Sequence, residues 1–419
     1  MSQSLETFTQ LVYAGDNPEA ICDSMIVAAI EMGASDIHIE PLDANVRVRF
    51  RVDGVLREIL EYQSFLHPQI VARFKILGKL KMDETRKPQD GRISHQVADK
   101  AFDLRLSTLP TVHGEKIVMR IVDKSKKIPP LEVLGIEWKN GEILERAIRQ
   151  PNGIILNSGP TGSGKSTTLY SIMLKINDPK INIMTFEDPV ENVIDGLNQS
   201  QVFPDIGYSF ATGLRTALRQ DPDVMMVGEI RDRETVDIAI EASLTGHLVL
   251  STIHTNSAAE TLTRILNMGV KPFLLPATIN AIIAQRLIRK INKEKCKKVP
   301  FTSLDVNIQE RIKSVLAVTN KDEITSRVDA DVLANPFFYE PDSSLVQHID
   351  DAYDGRTGIY EILEIWSEIK ELLLQGSSAT EINRVAVENG MISLEQDGII
   401  KALQWITSLQ EVYRVVKDM

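Results

Sequence analysis

The run Gly159-Pro160-Thr161-Gly162-Ser163-Gly164-Lys165-Ser166 is a full match to GxxxxGK[ST], the loop that grips nucleoside triphosphate phosphates. These eight residues and Thr167 are the candidate nucleotide-binding set. The glycines let backbone N–H groups face phosphate oxygens, and a helix beginning there adds positive potential. Lys165 is suited to the β- and γ-phosphates, and the Ser166 hydroxyl to Mg²⁺. The apolar run Gly153-Ile154-Ile155-Leu156-Asn157-Ser158 before the loop reads as a buried strand, and 167–173 reads as a helix start. Strand, loop and helix in that order are the context the motif requires.

Two further runs end in carboxylates. One is Asn182-Ile183-Met184-Thr185-Phe186-Glu187-Asp188-Pro189, and the other is Val224-Met225-Met226-Val227-Gly228-Glu229. In a parallel sheet, ligands gather at the carboxyl ends of strands, so both clusters should face the phosphates. Gly228 stands where an aspartate usually holds Mg²⁺. The ion is then left to Ser166, the phosphates and water, with Glu229 or Glu187 acting directly or through water. Either carboxylate can orient or deprotonate an attacking water. His254 follows another apolar run and has two readings, a contact to the γ-phosphate or a structural role. Arg215 and Arg219, four apart on a helix expected over 208–219, share one face. They either pair with local acids or complete the nucleotide site. Arg92, Arg105 and Arg120 pose the same choice on expected strands.

The elements that must position these groups fall into two patterns. Up to residue 123 the chain reads as α+β. A short polar start precedes a helix over 18–32, and alternating strands follow at 36–40 and 46–52, the second ending in an Asp53-Gly54 turn. A helix over 68–81 and strands over 91–96, 101–107 and 115–121 complete this domain. Residues 124–131, basic and proline-containing, read as a linker. From 132 to 419 the pattern becomes strand–helix–strand, which predicts a parallel sheet covered by helices. Residues 291–354 lose clear periodicity and read as an inserted subdomain or a long irregular excursion, and 355–419 reads as helical. Thr380, Thr407 and Ser408 are expected caps, with Ser408 and Glu411 forming a capping box.

With 419 residues, two or three domains fit. No apolar run approaches the ~20 residues of a membrane span, and no secretory signal is visible. Only Cys22 and Cys296 occur, which suits a reducing cytoplasm and supplies no disulfide scaffold. A net charge of −11 argues against a nucleic-acid motor. The one basic cluster, 289–298, has no aromatic interleaving in sequence. It reads as a solvated element, with anionic lipid or an acidic partner as the other readings.

Together the motifs resemble the secretion ATPases of type II secretion and type IV pilus assembly. Ala34-Ser35-Asp36-Ile37-His38-Ile39-Glu40-Pro41, Pro88-Gln89-Asp90-Gly91-Arg92 and Ser107-Thr108-Leu109-Pro110 are similar to that family's N-terminal domain. The phosphate loop, Glu187-Asp188-Pro189, Gly228-Glu229 and His254-Thr255-Asn256 look like its Walker A, aspartate, Walker B and histidine boxes. Gly355-Arg356-Thr357-Gly358-Ile359-Tyr360-Glu361 looks like its C-terminal segment. The resemblance implies a RecA-like P-loop α/β core, a preceding PAS-like domain and a homohexamer. It also implies ATP and Mg²⁺ as ligands and an inner-membrane platform protein as partner. The location implied is the cytoplasm, peripherally at the inner membrane, with no nucleic acid expected. Arg105 and Arg120 look like arginines that close over the γ-phosphate, and Arg215 and Arg219 like those supplied by the core. Two departures stand out. The four-cysteine zinc module of assembly ATPases is reduced to Cys296, so no zinc site is expected. The family's extra N-terminal domain is also not evident. The motifs as a set point to a motor driving pilus or pseudopilus assembly. A retraction ATPase, a nucleotide-dependent scaffold with little turnover and a DNA translocase are the rivals.

Overall fold

In the computed structural model, which describes residues 3–15, 17–123, 125, 127–346 and 348–416, the chain separates into two units, Met1–Lys127 and Ile128–Met419. The first unit carries α1 (Gln3–Ala14), α2 (Pro18–Glu31), β1 (Ala34–Pro41), β2 (Asn45–Val52), β3 (Val55–Gln63), α3 (His67–Leu77), β4 (Gln89–Val97), β5 (Lys100–Thr111) and β6 (Gly114–Asp123). Its six strands pair in the order β3-β2-β1-β6-β5-β4, antiparallel throughout. Alternation places Ile37, Ile39, Val48, Phe50, Leu104, Leu106, Ile117 and Met119 on one face, packed against the three helices. The residues between them point to the other face.

Helix α1 corrects the expected polar start. Phe8 and Val12, four apart, are buried against the sheet, and such burial is worth roughly 1.5–3 kcal/mol per side chain. The α3 helix ends at Leu77 rather than 81, because Lys79 takes a left-handed φ of 56°. Of the expected linker, Lys124 and Lys126 lie outside the described residues. Its end belongs to the second unit, where Leu131 is buried and the Pro129 carbonyl accepts from Ser171 Oγ at 2.7 Å.

The second unit begins with α4 (Trp138–Ile148), β7 (Gly153–Ser158), α5 (Lys165–Ile176), β8 (Ile183–Glu187), β9 (Asn198–Gln201), α6 (Phe210–Ala217), β10 (Val224–Val227), α7 (Arg233–Leu244), β11 (Leu248–Ile253), α8 (Ala258–Asn267), α9 (Leu275–Thr278) and β12 (Ile279–Ile291). It continues with β13 (Cys296–Pro300), α10 (Val306–Ala317), α11 (Lys321–Arg327), α12 (Ala330–Ala334), β14 (Phe337–Pro341), β15 (Tyr353–Glu364), α13 (Ser367–Gln375), α14 (Ala379–Glu388), α15 (Leu394–Leu403) and α16 (Leu409–Val416). The main sheet runs β15-β12-β7-β11-β10-β8-β9. All its pairs are parallel except the β15 edge. Its strands are apolar on both faces, with Ile154 and Leu156 in one cluster and Ile155 in another, the signature of a sheet covered by helices on both sides. Among the described residues, no helix is long and apolar enough to cross a membrane.

Three expectations change here. The segment 355–419 is not wholly helical. Its first part completes β15, which runs antiparallel to β12 from Ala281–Glu364 to Ile291–Tyr353, and Thr357, Ile359, Tyr360 and Ile362 suit a pleated surface. The insertion is ordered rather than irregular. Strands β13 and β14 pair as a separate ribbon, and Ile312, Val328, Val332 and Phe338 share a core with Ile399, Ile400, Leu403 and Val412. The basic cluster also gains aromatic neighbours. Lys293 Nζ lies 5.0 Å from the Trp405 ring centroid and Lys298 Nζ 4.8 Å from that of Phe337. Caps shift too. Ser378, not Thr380, caps α14, accepting from Glu381 N–H. Ser408 Oγ accepts from Glu411 N–H, but the Glu411 carboxylate turns to Arg289 instead of closing the box.

Candidate nucleotide site

Strand β7 is buried over its whole length and ends at Ser158, directly before the phosphate loop. Gly159, Gly162 and Gly164 all have positive φ, at 147°, 80° and 89°. A Cβ at Gly159 would lie 2.6 Å from both the Gln285 carbonyl oxygen and Ser163 Oγ, so the first glycine is also sterically required. Lys165 opens α5 and is buried, donating from Nζ to the carbonyls of Gly159 at 2.7 Å and Pro160 at 3.0 Å. Burial lowers its pKa to about 8, partly opposed by Glu229. Ser166 is exposed and Ser163 buried, with Ser163 Oγ lacking a partner among the described residues. An open hydroxyl and an orphaned buried one beside the inward-curving loop fit a polyphosphate and its cation.

Beneath the loop, Gln285 of β12 accepts through Oε1 from Thr168 Oγ1 at 2.8 Å and from Asn157 Nδ2 at 3.0 Å. Arg286 beside it donates to the Asn256 carbonyl at 3.0 Å and to Asn256 Oδ1 at 3.2 Å. Sequence reasoning missed both. Their signal was two polar residues inside the otherwise apolar run 281–288.

The register brings four carboxyl ends level. Phe186 and Val227 are paired, as are Val227 and Ser251, and Ser158 and Ile253. In the order β7-β11-β10-β8, His254 stands beside the strand that feeds the loop, Glu229 one strand further and Glu187 a third. At ~4.8 Å per strand the Glu187 strand is displaced from β7 by roughly 14 Å. Glu187 is also fully engaged. It is 4% exposed and accepts from the Tyr170 hydroxyl, from Thr185 Oγ1 at 2.5 Å and from Gln199 Nε2 at 3.0 Å. Glu229 is partly open, ion-paired with Arg231, and its Oε2 lies 3.6 Å from His254 Nε2. Burial and Lys165 push the imidazole pKa down while Glu229 opposes them, so His254 is held toward its neutral form. Arg231, absent from the sequence reading, sits two residues past Glu229, a spacing that returns to the same side in extended chain.

Gly228 has a packing reason. A Cβ there would lie 3.1 Å from Phe210 Cε1 and 3.3 Å from the Phe186 carbonyl oxygen. Helix α6 is shorter than expected and leaves Arg219 outside it. Arg215 pairs with Glu234 of α7 at 2.8 Å, and Arg219 donates to the Arg215 carbonyl at 3.1 Å. In the first unit the register sets Arg51 opposite Asp36, Asp36 opposite Arg120, Arg120 opposite Arg105 and Arg105 opposite Arg92. The sequence showed arginines on strands, and pairing lines them up across the sheet's helix-free face. Asp36, buried, accepts from Arg120 Nε at 3.1 Å and lies 3.6 Å from Arg51 Nε.

The family model described as type II/IV secretion system protein matches residues 15–414. Over 397 residues the chain is 45% identical to the type IV pilus assembly ATPase PilB of Pseudomonas aeruginosa, covering 94% of this chain and 67% of that protein. It is 42% identical over 398 residues to the type II secretion system protein E of Dickeya dadantii, covering 95% and 75%. Among solved structures, the pilus retraction motor PilT with bound ADP aligns with a TM-score of 0.58 at 26% identity, covering 94% of this chain and 96% of that one. The chain belongs to the type II/IV secretion system protein family and is a P-loop ATPase of mixed α/β fold.

Proposed function

We propose that this chain is a hexameric motor whose ATP hydrolysis drives assembly of a pilus or pseudopilus, working with a platform protein at the inner membrane. The observation that carries the chemistry is Glu229, partly open and set between Lys165, Arg231 and His254 at the carboxyl ends of the strands. Lys165 and the loop N–H groups orient the β- and γ-phosphates. Glu229 orients the attacking water and takes its proton, while Glu187 braces α5 through Tyr170. Neutral His254 reads the γ-phosphate as a hydrogen-bond donor. Mg²⁺, held by Ser166 and through water by Glu229, would supply charge neutralisation at the phosphates. For the developing phosphate charge we take the arginines that the family resemblance implies, Arg215 and Arg219 of the second unit and Arg105 and Arg120 of the first. Assembly is favoured over retraction by 45% identity to the assembly ATPase against 26% to the retraction motor.

The test is steady-state hydrolysis by the purified chain, with native mass spectrometry for the hexamer. Glu229→Gln should lower kcat by roughly 10²–10⁴ with nucleotide binding retained. Glu187→Gln should cost much less. Equal slow rates for wild type and Glu229→Gln would leave a nucleotide-dependent scaffold as the reading. Stimulation by DNA, absent with the platform protein's cytoplasmic part, would replace the motor reading with a translocase.

A further inference from the structure

Between α3, the β5–β6 turn and the segment 78–88, the first unit holds a cavity of about 540 Å³, a size typical of small-molecule sites. It shares no residue with the phosphate loop or its carboxylates. Much of its wall is apolar. Val46 and Val71 line it and are buried, while Met82 and Val112 line it with 45% and 96% exposure. An apolar interior opening past exposed apolar side chains favours an occupant with little polar surface. The wall is also fixed in place. Gln89 Nε2 donates to the carbonyls of Lys81 and Glu84 at 3.0 and 2.9 Å, and its Oε1 accepts from the Lys81 N–H at 2.9 Å. These bonds pin the segment that brings Met82 to the cavity.

The polar part of the lining is nearly complete within itself. Lys75 Nζ, on a side chain 2% exposed, donates to Glu115 Oε2 at 2.7 Å and to the Glu84 carbonyl at 2.9 Å. The Glu115 side chain is 10% exposed, yet its Oε1 is buried with no hydrogen-bond partner among the described residues. His67 cannot supply the missing donor. Its Nε2 lies 2.8 Å from the Glu115 carbonyl, which only accepts, so Nε2 carries the proton and Nδ1 accepts from the Tyr62 hydroxyl at 3.0 Å. Burial lowers the imidazole pKa, opposed by Glu115, and both ring nitrogens of the neutral form are thereby used. Ser64 Oγ and Thr111 Oγ1 donate elsewhere, to the carbonyls of Ala44 at 2.8 Å and Gly114 at 2.7 Å. Glu115 Oε1 is left as a buried acceptor facing a cavity, a condition that folded proteins rarely tolerate.

The pairing also defines what can enter. Lys75 and Glu115 neutralise each other, so a charged guest would lose its water without gaining a counter-charge. A guest with one donor satisfies Oε1, and a guest with only an acceptor does not. We propose that this cavity, separate from the residues assigned to ATP, binds an uncharged, mainly apolar small molecule that donates one N–H or O–H to Glu115 Oε1.

Indole and benzofuran are the probes, because they share a shape and differ in an N–H donor against an oxygen acceptor. Each is titrated into the full chain carrying isotope-labelled methionine methyl groups, with the Met82 signal assigned by its loss in Met82→Leu. Indole should shift the Met82 signal saturably, with a Kd in the millimolar range or below. Benzofuran should bind roughly tenfold more weakly, because Oε1 stays unpaired. Ala72→Phe fills the cavity from α3 and leaves the Lys75–Glu115 pair in place, so the indole response should disappear. The comparison of the two probes is made on the wild-type chain and needs no folded variant. Absence of a saturable shift at Met82 overturns the proposal. Equal affinities for the two probes do so too, since they would mark apolar partition alone. An indole response that survives in Ala72→Phe, or shifts confined to methionines of the second unit, would be equally fatal.

Discussion

Replacing Asp397 by Ala should cost far more than a surface charge would. The carboxylate is 2% exposed and accepts from Arg327 Nη2 at 2.7 Å, Lys401 Nζ at 2.8 Å and the Tyr360 N–H at 2.9 Å. Arg327 is 8% exposed and Lys401 1%. Without Asp397, Arg327 keeps, among the described residues, only Glu323 at 3.4 Å as an ion-pair partner. Lys401 keeps the carbonyls of Gly135 and Gly358 but no ion-pair partner among the described residues. Removing one partner from buried charges costs ~3–5 kcal/mol. Trp138, Trp366 and Trp405 all lie beyond residue 127, so tryptophan fluorescence follows the second unit alone. With a urea slope of about 3 kcal/mol per molar, the midpoint should fall by roughly 1 M or more. Arg384→Ala, which removes an ion pair standing in solvent, should leave it in place.

The same site has a pH signature. Burial pushes the Asp397 carboxyl up, but Lys401 and Arg327 outweigh it and hold the pKa below the usual carboxylate range. Its contribution is therefore full above the unfolded pKa of ~3.9 and is lost as pH falls through the lower folded value. The gap between wild type and Asp397→Ala should be flat near neutrality and close in acid. A midpoint shift below ~0.2 M, or a gap that widens in acid, would refute the reasoning. Replacing Asp397, Lys401, Arg327 and Glu323 together by apolar residues should cost much less than Asp397→Ala alone, because no orphaned charge remains.

Lys165, with a pKa of about 8 before phosphates arrive, should take up about half a proton on binding ATP at pH 8 and almost none at pH 6.5. Calorimetry in buffers of different ionisation enthalpy measures that uptake, and affinity should weaken by up to about tenfold per pH unit above 8. Gly228→Asp, although it restores the usual metal-binding aspartate, should destabilise the second unit by ~1–3 kcal/mol through overpacking against Phe210 and the Phe186 carbonyl. Unfolding and turnover should both be measured, and a stable variant with faster turnover would show that Gly228 is not there for packing.

The phosphate loop, the carboxylate-ended strands and most element positions could be read directly because each is a local code, set by glycine spacing, apolar runs and alternation. The errors lay where local pattern and tertiary partner compete. Residues 353–364 became a strand because β12 offers a long edge. The expected capping box at Ser408 failed because buried Arg289 claims Glu411. Other features had no local trace. Register alone places Arg92, Arg105, Arg120 and Asp36 in one row. Packing alone brings Phe337 and Trp405 to lysines of the run 289–298, which holds no aromatic of its own. Glu187 and Glu229 looked alike in sequence, each a glutamate ending an apolar strand. Strand order and burial separate them, because sheet topology fixes which strand end lies nearer the loop. The sequence by itself determined the phosphate-loop motif and the side chains that are candidates to serve it. Only the tertiary structure decided which of them are buried and hydrogen-bonded, because exposure and hydrogen-bond engagement depend on neighbours distant in sequence.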